Sequence, residues 1–333
     1  MARVGVVAIG RNEGERLRRC LQSLDPGSRP TVYVDSGSSD GSPEQAASLG
    51  AEVVQLDMSI PFTAARARNA GLERLLKNTP DVEFVQFVDG DCEVDPGWLP
   101  AAVTALDAEP NVVVVCGRRR EKHPNASVYN WLCDLEWDTP VGEAQACGGD
   151  ALMRVSAVKA AGGYRDDLIA GEEPEMCVRM RANGGRVLRL PVEMTLHDAA
   201  MTSFRQWWTR NFRAGHAFAE VSHVQCGSPF GIWRHESRSN WVWGVLVPAL
   251  AIVAAPFTLG LSLVLLLAYP ALFFKIRRGR LRRGDEAATA SLYARYCVLS
   301  KFPQAMGQVR YWRNRIFGRR NRLIEYKGPR TSR

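Results

Sequence analysis

Phe84-Val85-Gln86-Phe87-Val88-Asp89-Gly90-Asp91 runs from β-forming residues directly into two carboxylates one residue apart. Apolar and aromatic residues bounded by glycine suit a central strand. Open α/β sheets bind ligands just beyond the carboxyl ends of their strands, so Asp89 and Asp91 are expected at such an edge. Carboxylates are the ligands that Mg2+ or Mn2+ takes, and such ions are held by one or two of them together with substrate phosphates. The tripeptide alone also reads as an Asp-Gly turn with a solvated second aspartate. The flanking chain has to decide between the two.

On the N-terminal side the pattern alternates. Val4 to Ile9 reads as a strand, followed by Asn12 as a helix cap and by Leu17, Cys20, Leu21 and Leu24 on one helical face. Thr31 to Val34 reads as a second strand, ending in the polar loop Asp35-Ser36-Gly37-Ser38-Ser39-Asp40-Gly41-Ser42, with Pro43 in the first turn of the next helix. Small residues there allow close approach to a ligand, and Asp35 can accept hydrogen bonds from a base or ribose. Ala51 to Leu56 gives a third strand. Ala65, Arg68, Leu72, Leu75 and Leu76 then form a helix whose apolar side is interrupted by Arg68. Arg66 and Arg68, near its start, can meet a diphosphate by charge and paired hydrogen bonds; surface arginines are the plainer reading. A helix around Leu99 to Leu106 and a strand at Asn111 to Cys116 follow. This alternation predicts an α/β, Rossmann-like fold with a mostly parallel sheet.

From Gly117 to Tyr164 the periodicity fades into aromatic, acidic and glycine-rich segments, Trp131 to Asp138 and Cys147-Gly148-Gly149-Asp150 among them. Such a region suits a substrate-facing surface, and Trp137 can stack on a sugar face, although core packing is the more frequent reason for a single tryptophan. Ala170-Gly171-Glu172-Glu173-Pro174 marks an acidic helix N-terminus. One of its carboxylates can serve as a general base, while dipole compensation is the simpler role. Met194-Thr195-Leu196-His197 ends a short strand with an imidazole, a candidate third metal ligand.

Of the net charge of +8 over 333 residues, the last 59 contribute +14, with 17 Lys/Arg against 3 Asp/Glu, and the remainder −6. A basic tail points to a polyanion, either nucleic acid or an anionic membrane face. No nucleic-acid module accompanies it, so nucleic acid is not expected as a partner. Trp241 to Phe274 holds no charged residue over 34 positions. That exceeds the roughly 20 residues that span a bilayer but is short for two spans. Pro248, Pro256, Gly260 and Pro270 interrupt it, and Trp241, Trp243 and Tyr269 flank it as interfacial residues do. With basic residues kept inside, a membrane-embedded hairpin or re-entrant segment is favoured over one kinked span. The expected organisation is a catalytic domain at 1–220, a linker at 221–240, the hydrophobic helical membrane segment at 241–274 and a basic amphipathic tail at 275–333. The eight scattered cysteines form no CxxC pair, and Val4 to Ile9 is too short for a signal-peptide core. The body is expected on the cytoplasmic face of the plasma membrane.

Taken in order, these segments resemble the family-2 glycosyltransferases of GT-A fold over about residues 4 to 215. Ala8 to Glu13 is similar to the family's first strand and turn, Val34 to Gly41 to its nucleotide loop, and Arg66-Ala67-Arg68-Asn69-Ala70-Gly71 to its Ala-Arg-Asn-x-Gly helix start. Asp89-Gly90-Asp91 is similar to its Asp-x-Asp metal motif, Gly148 to Arg154 to its acceptor-side segment, and Gly171-Glu172-Glu173 stands where its Glu-Asp motif does. The resemblance implies a nucleotide-diphosphate sugar donor, UDP-linked by preference, with Asp35, Ser36, Asp40, Arg66, Arg68, Asn69 and Asp89 on the donor side. It implies Mn2+ or Mg2+ on Asp89 and Asp91, joined by His197, an acceptor near Gly149, Asp150 and Trp137, and Glu173 as base with Glu172 as the alternative. Glutamate replaces the family's usual second aspartate here. Arg205-Gln206-Trp207-Trp208-Thr209-Arg210 lacks the spacing of the processive enzymes' motif. The implied activity is single, inverting sugar transfer to a lipid-linked acceptor in surface polysaccharide assembly. A glycolipid synthase and a noncatalytic nucleotide-sugar-binding scaffold are the alternatives.

Overall fold

The computed structural model describes residues 3–319; residues 320–333, the end of the expected basic tail, lie outside the described residues. Nine strands form one sheet: β1 (Val4–Gly10), β2 (Thr31–Asp35), β3 (Glu52–Gln55), β4 (Phe84–Asp89), β5 (Cys92–Val94), β6 (Val112–Glu121), β7 (Gly142–Ala144), β8 (Ala151–Arg154) and β9 (Arg186–His197). Their order is β3-β2-β1-β4-β8-β6-β9-β5, with β7 on β9. The core lies between this sheet and its covering helices, among them Glu15–Leu24, Ala64–Asn78 and Trp98–Ala108. β4 is buried from Phe84 to Val88. Its one polar interior residue, Gln86, is accommodated because Oε1 accepts the Trp98 indole N–H at 2.8 Å and Nε2 donates to Phe87 O at 2.7 Å. Burial without a partner would cost a hydrogen bond's desolvation.

The expected mostly parallel sheet is corrected to a mixed one. β1, β2, β3 and β4 pair in parallel, as do β6 and β9. β8 lies antiparallel to both β4 and β6, and β5 and β7 lie antiparallel to β9. The cause is the excursion between β6 and β8. It contains the helix Val128–Trp137 and brings the chain back into the sheet with reversed polarity. Direction of entry is set by what a connection packs against, and the weakly periodic 117–164 region carries no local mark of it.

Two compact units divide the chain: residues 3–202 with Gln225–Ile232, and Ser203–Val224 with residues 233–319. In the second unit the helices Phe204–Val224 and Ala287–Ile316 pack along each other. A Cβ on Gly215 would stand 1.9 Å from Gln304 O, and one on Gly307 2.0 Å from Phe212 O, so glycine at both places lets the two backbones touch. The uncharged 241–274 segment is cut into short pieces: a π-helical turn Val242–Leu246, a helix Val247–Val253, a 3-10 stretch Leu261–Leu267 and the start of the helix Ala268–Leu281. Among the described residues no helix is long and apolar enough to cross a membrane, and the expected membrane segment has no support from the helices.

Candidate active site

Asp35 ends β2 and is buried. Its Oδ2 accepts the backbone N–H groups of Gly37 and Ser38, both at 2.9 Å, and its Oδ1 the Tyr33 hydroxyl at 3.2 Å. Gly37 takes φ 80°, a value that a Cβ would strain. The loop is tied to the end of β1, because Asn12 Oδ1 accepts the Ser39 N–H at 2.8 Å and its own N–H donates to Ser38 Oγ at 2.9 Å. Ser36 is buried beside Asp35, and its hydroxyl has no partner among the described residues. Asp40 is otherwise engaged: its Oδ1 accepts the Ser42 N–H at 3.1 Å and hydroxyl at 2.6 Å, starting the next helix.

The three polar residues opening the helix Ala64–Asn78 have three different positions. Arg66 reaches back to the carbonyls of Asp57, Ile60 and Pro61 and closes the preceding loop. Asn69 clamps the turn at Tyr164, donating to Tyr164 O at 2.8 Å and Asp166 Oδ1 at 2.7 Å and accepting the Tyr164 N–H at 2.9 Å. Arg68 is the hub. Its side chain is 2% exposed and bonds Asp89 Oδ1 at 2.8 Å and Glu172 Oε1 at 2.7 Å, with Glu173 Oε1 at 3.0 Å. The Tyr164 ring lies 5.6 Å from its guanidinium carbon. This explains the arginine on an otherwise apolar helical face: a buried cation is tolerable where carboxylates surround it.

Asp89 and Asp91 leave β4 on opposite sides of Gly90. Asp89 stays partly exposed beside Arg68, while Asp91 is buried and turned toward His197, with Oδ2 and Nε2 3.2 Å apart. β5 and β9 make this meeting, pairing Cys92 with His197 in antiparallel register. Asp91, Cys92 and His197 are the one group of three ligand-type side chains among the described residues close enough to share a metal ion. The Cys92 thiol is pushed well up by burial, then by Asp150 and Asp91, and bonds Asp91 Oδ1 at 3.6 Å. The Asp91 carboxylate and the His197 imidazole, with Asp89 on the same turn, are donors suited to Mn2+ or Mg2+.

Asp150 lies beneath Asp89 and is fully buried. Its Oδ1 accepts the Asp89 N–H at 3.1 Å, and its Oδ2 bonds Thr195 Oγ1 at 2.9 Å and Arg119 at 2.8 Å. Its carboxylate thus supports the strand end. Trp137 is half-buried with its ring 4.7 Å from that of His197 and 5.6 Å from the Arg119 guanidinium carbon. Gly149 faces the centre: a Cβ there would lie 2.8 Å from Arg68 Nη2 and Asp89 Oδ2 and 3.2 Å from Glu173 Oε1. Glycine at 149 is therefore what lets the backbone pass against Arg68, Asp89 and Glu173.

Glu172 and Glu173 begin the helix Glu172–Ala182, after Gly171 at φ 83°. Glu172 turns inward to Arg68. Glu173 is pushed up to about 7 by burial first and by Glu172 next, with Arg68 opposing. Two site residues escape the sequence reading, Arg119 and Tyr164. The signal for Arg119 is its place in Arg118-Arg119-Arg120 at the end of a strand, where alternation sends one side chain to each face in turn.

Residues 6–134 match the family model described as Glycosyl transferase family 2. The Pre-mycofactocin glycosyltransferase of Mycobacterium tuberculosis (strain CDC 1551 / Oshkosh) is 25% identical over 230 residues, 66% of this chain and 47% of that protein. The chain therefore spans about half the length of that curated relative. Among solved structures, a mannosyltransferase from Pyrobaculum calidifontis in complex with GDP-Man and Mn2+ aligns with TM-score 0.59 at 20% identity, over 93% of this chain and 87% of that one. S. aureus TarS 1-349 aligns with TM-score 0.50 at 15% identity, over 93% and 91%. At these identities the structural likeness is one of fold.

Proposed function

We propose that this chain is a family-2 glycosyltransferase of GT-A fold that moves one sugar with inversion from a nucleotide-diphosphate donor to a lipid-linked acceptor at the cytoplasmic face of a membrane, in surface polysaccharide assembly. The observation that carries the catalytic part is the Arg68 hub, which holds Asp89 and both glutamates around the space that a side chain at position 149 would fill. Asp35, in its cage of loop N–H groups, and the unpartnered Ser36 hydroxyl stand on the base and ribose side; a UDP-linked donor is preferred. Asp91, His197 and Asp89 would hold the divalent ion. When bound, the ion supplies positive charge against the diphosphate.

The base is Glu173. Both glutamates pair with Arg68, Glu172 more closely, and Glu173, raised by burial and by Glu172, has the proton affinity of a general base working near neutral pH. It takes the proton of the acceptor hydroxyl as that oxygen bonds to the anomeric carbon. The bond from that carbon to the phosphate oxygen breaks, and its electron pair leaves with the nucleoside diphosphate. Arg68 holds both carboxylates still during the displacement, so little reorganisation is needed.

Support for the lipid acceptor comes from the uncharged 241–274 segment beside a basic one. Donor hydrolysis and transfer, measured across a panel of nucleotide sugars with Mn2+, Mg2+ or EDTA, test the proposal. Metal-dependent turnover of one donor is expected. Folded protein that binds no donor with metal present would replace it with the scaffold reading.

A further inference from the structure

The helix Val247–Val253 and the 3-10 stretch Leu261–Leu267 pack together as a hairpin, with the turn 254–260 as its tip. Its surface is unlike that of a soluble loop. Phe257 is 85% exposed and Leu259 99%, and Leu246, Leu250, Ile252, Val253, Leu261 and Leu267 are exposed beside them. Its hydroxyls are turned to the chain's own backbone: Thr258 Oγ1 donates to Ala254 O at 2.9 Å and Ser262 Oγ to Ala251 O at 2.8 Å. Internal satisfaction of polar groups is what hydrocarbon demands, whereas a protein interface would offer partners of its own. From Trp241 to Val253 the first arm is apolar for 13 residues. That is about 20 Å of helix against a hydrocarbon core of about 30 Å. The hairpin is long enough to enter one leaflet and too short to cross the bilayer.

At its root the second unit holds a cavity of about 890 Å³. Val245, Phe212, Met306 and Val309 supply apolar walls, and Arg310 and Arg313 line it from the last turns of the helix Ala287–Ile316. With Arg319 the lining has, among the described residues, three arginines and no carboxylate. Burial and the adjacent Arg313 hold Arg310 below its ordinary range. The shape and charge suit a molecule that is apolar along most of its length and anionic at its head.

We propose that this cavity is a binding site for the phosphate-bearing head of a membrane lipid, with the lipid's chain along the apolar wall and the adjoining hairpin inserted into the same leaflet. The proposal deepens the lipid-acceptor reading by naming where in the chain a lipid phosphate is recognised.

Flotation with vesicles tests it, using neutral phosphatidylcholine alone and with a small fraction of phosphatidic acid. Wild-type protein should float with both and bind the phosphatidic acid vesicles about tenfold more tightly. Arg313→Gln, and Arg310→Gln with Arg313→Gln, should lose that gain while keeping the neutral binding, with unchanged thermal midpoints as the check on folding. Phe257→Ser with Leu259→Ser should lose both. Equal binding of wild type and the arginine variants to phosphatidic acid would overturn the site. So would displacement by inorganic phosphate at the affinity of the lipid, which would make it a free-phosphate site, or dimerisation through the hairpin tip without vesicles. Protein that turns over donor but ignores every vesicle strikes out the lipid site alone. Protein that floats but turns over no donor strikes out the transferase reading alone.

Discussion

Glu173 and Gly149 carry the sharpest consequences of single side chains. Because burial raises the Glu173 carboxyl to about 7, its basic form is present above that pH and lost below it. In pH profiles, kcat/KM should rise about tenfold per pH unit up to about 7 and level off beyond. Glu173→Gln should lower kcat by about a hundredfold or more with donor affinity kept, and remove that limb. The same shift has a sign for stability. A carboxyl whose folded value is raised stabilises the fold at low pH, and that contribution disappears as pH rises through about 7. The Gln variant should therefore lose less of its thermal midpoint than wild type between pH 5 and pH 8. Gly149→Ala puts a methyl 2.8 Å from both Arg68 and Asp89. Displacement of either by a fraction of an ångström should reduce kcat/KM on the order of a hundredfold, as steady-state kinetics will read.

Elements meet at the site through residues that touch no substrate in the proposed mechanism. Asn69 joins the helix Ala64–Asn78 to the turn that carries Tyr164, and Tyr164 lies against Arg68. Asn69→Ala leaves the Tyr164 N–H and carbonyl without these partners and should cost about 2 kcal/mol in chemical denaturation. It should also lower kcat more than it raises KM for donor, since what it loosens is the hub. Asp150 plays the corresponding part under β4. Glycine and a following acid read as an acceptor-side segment in the sequence, yet Asp150 is spent on the Asp89 N–H, Thr195 and Arg119. Only a pairing of β4 with β8 brings it there.

For the whole molecule, a bound metal would act as a folding ligand as well as the proposed cofactor. An ion that binds the native chain and not the unfolded one stabilises it by about 2.7 kcal/mol at a hundredfold excess over Kd. The thermal midpoint should climb with Mn2+ concentration in wild type and stay flat in Asp91→Asn. A flat wild-type response would remove Asp91 and His197 as a metal site.

From Val4 to Cys116 the main strands and helices and their order were legible in the chain, because alternation and helical spacing are local and each loop stood beside the strand that delivers it. Arg68 could be named because it interrupts an apolar helical face, and Asp35, Asp89, Asp91, Glu173 and His197 because each stands at or beside the end of a regular element. What the linear chain could not specify was which partner each found. Asn69 and Asp40 have side chains as suited to ligands as to capping and clamping, and the choice depends on what lies within 3 Å. Arg119 reaches the site only by the pairing of β6 with β8 and β9. The mixed sheet and the cut-up 241–274 hairpin have the same origin. Composition sets how apolar a segment is, while strand direction and helix breaks follow from long-range packing, which no window of sequence contains.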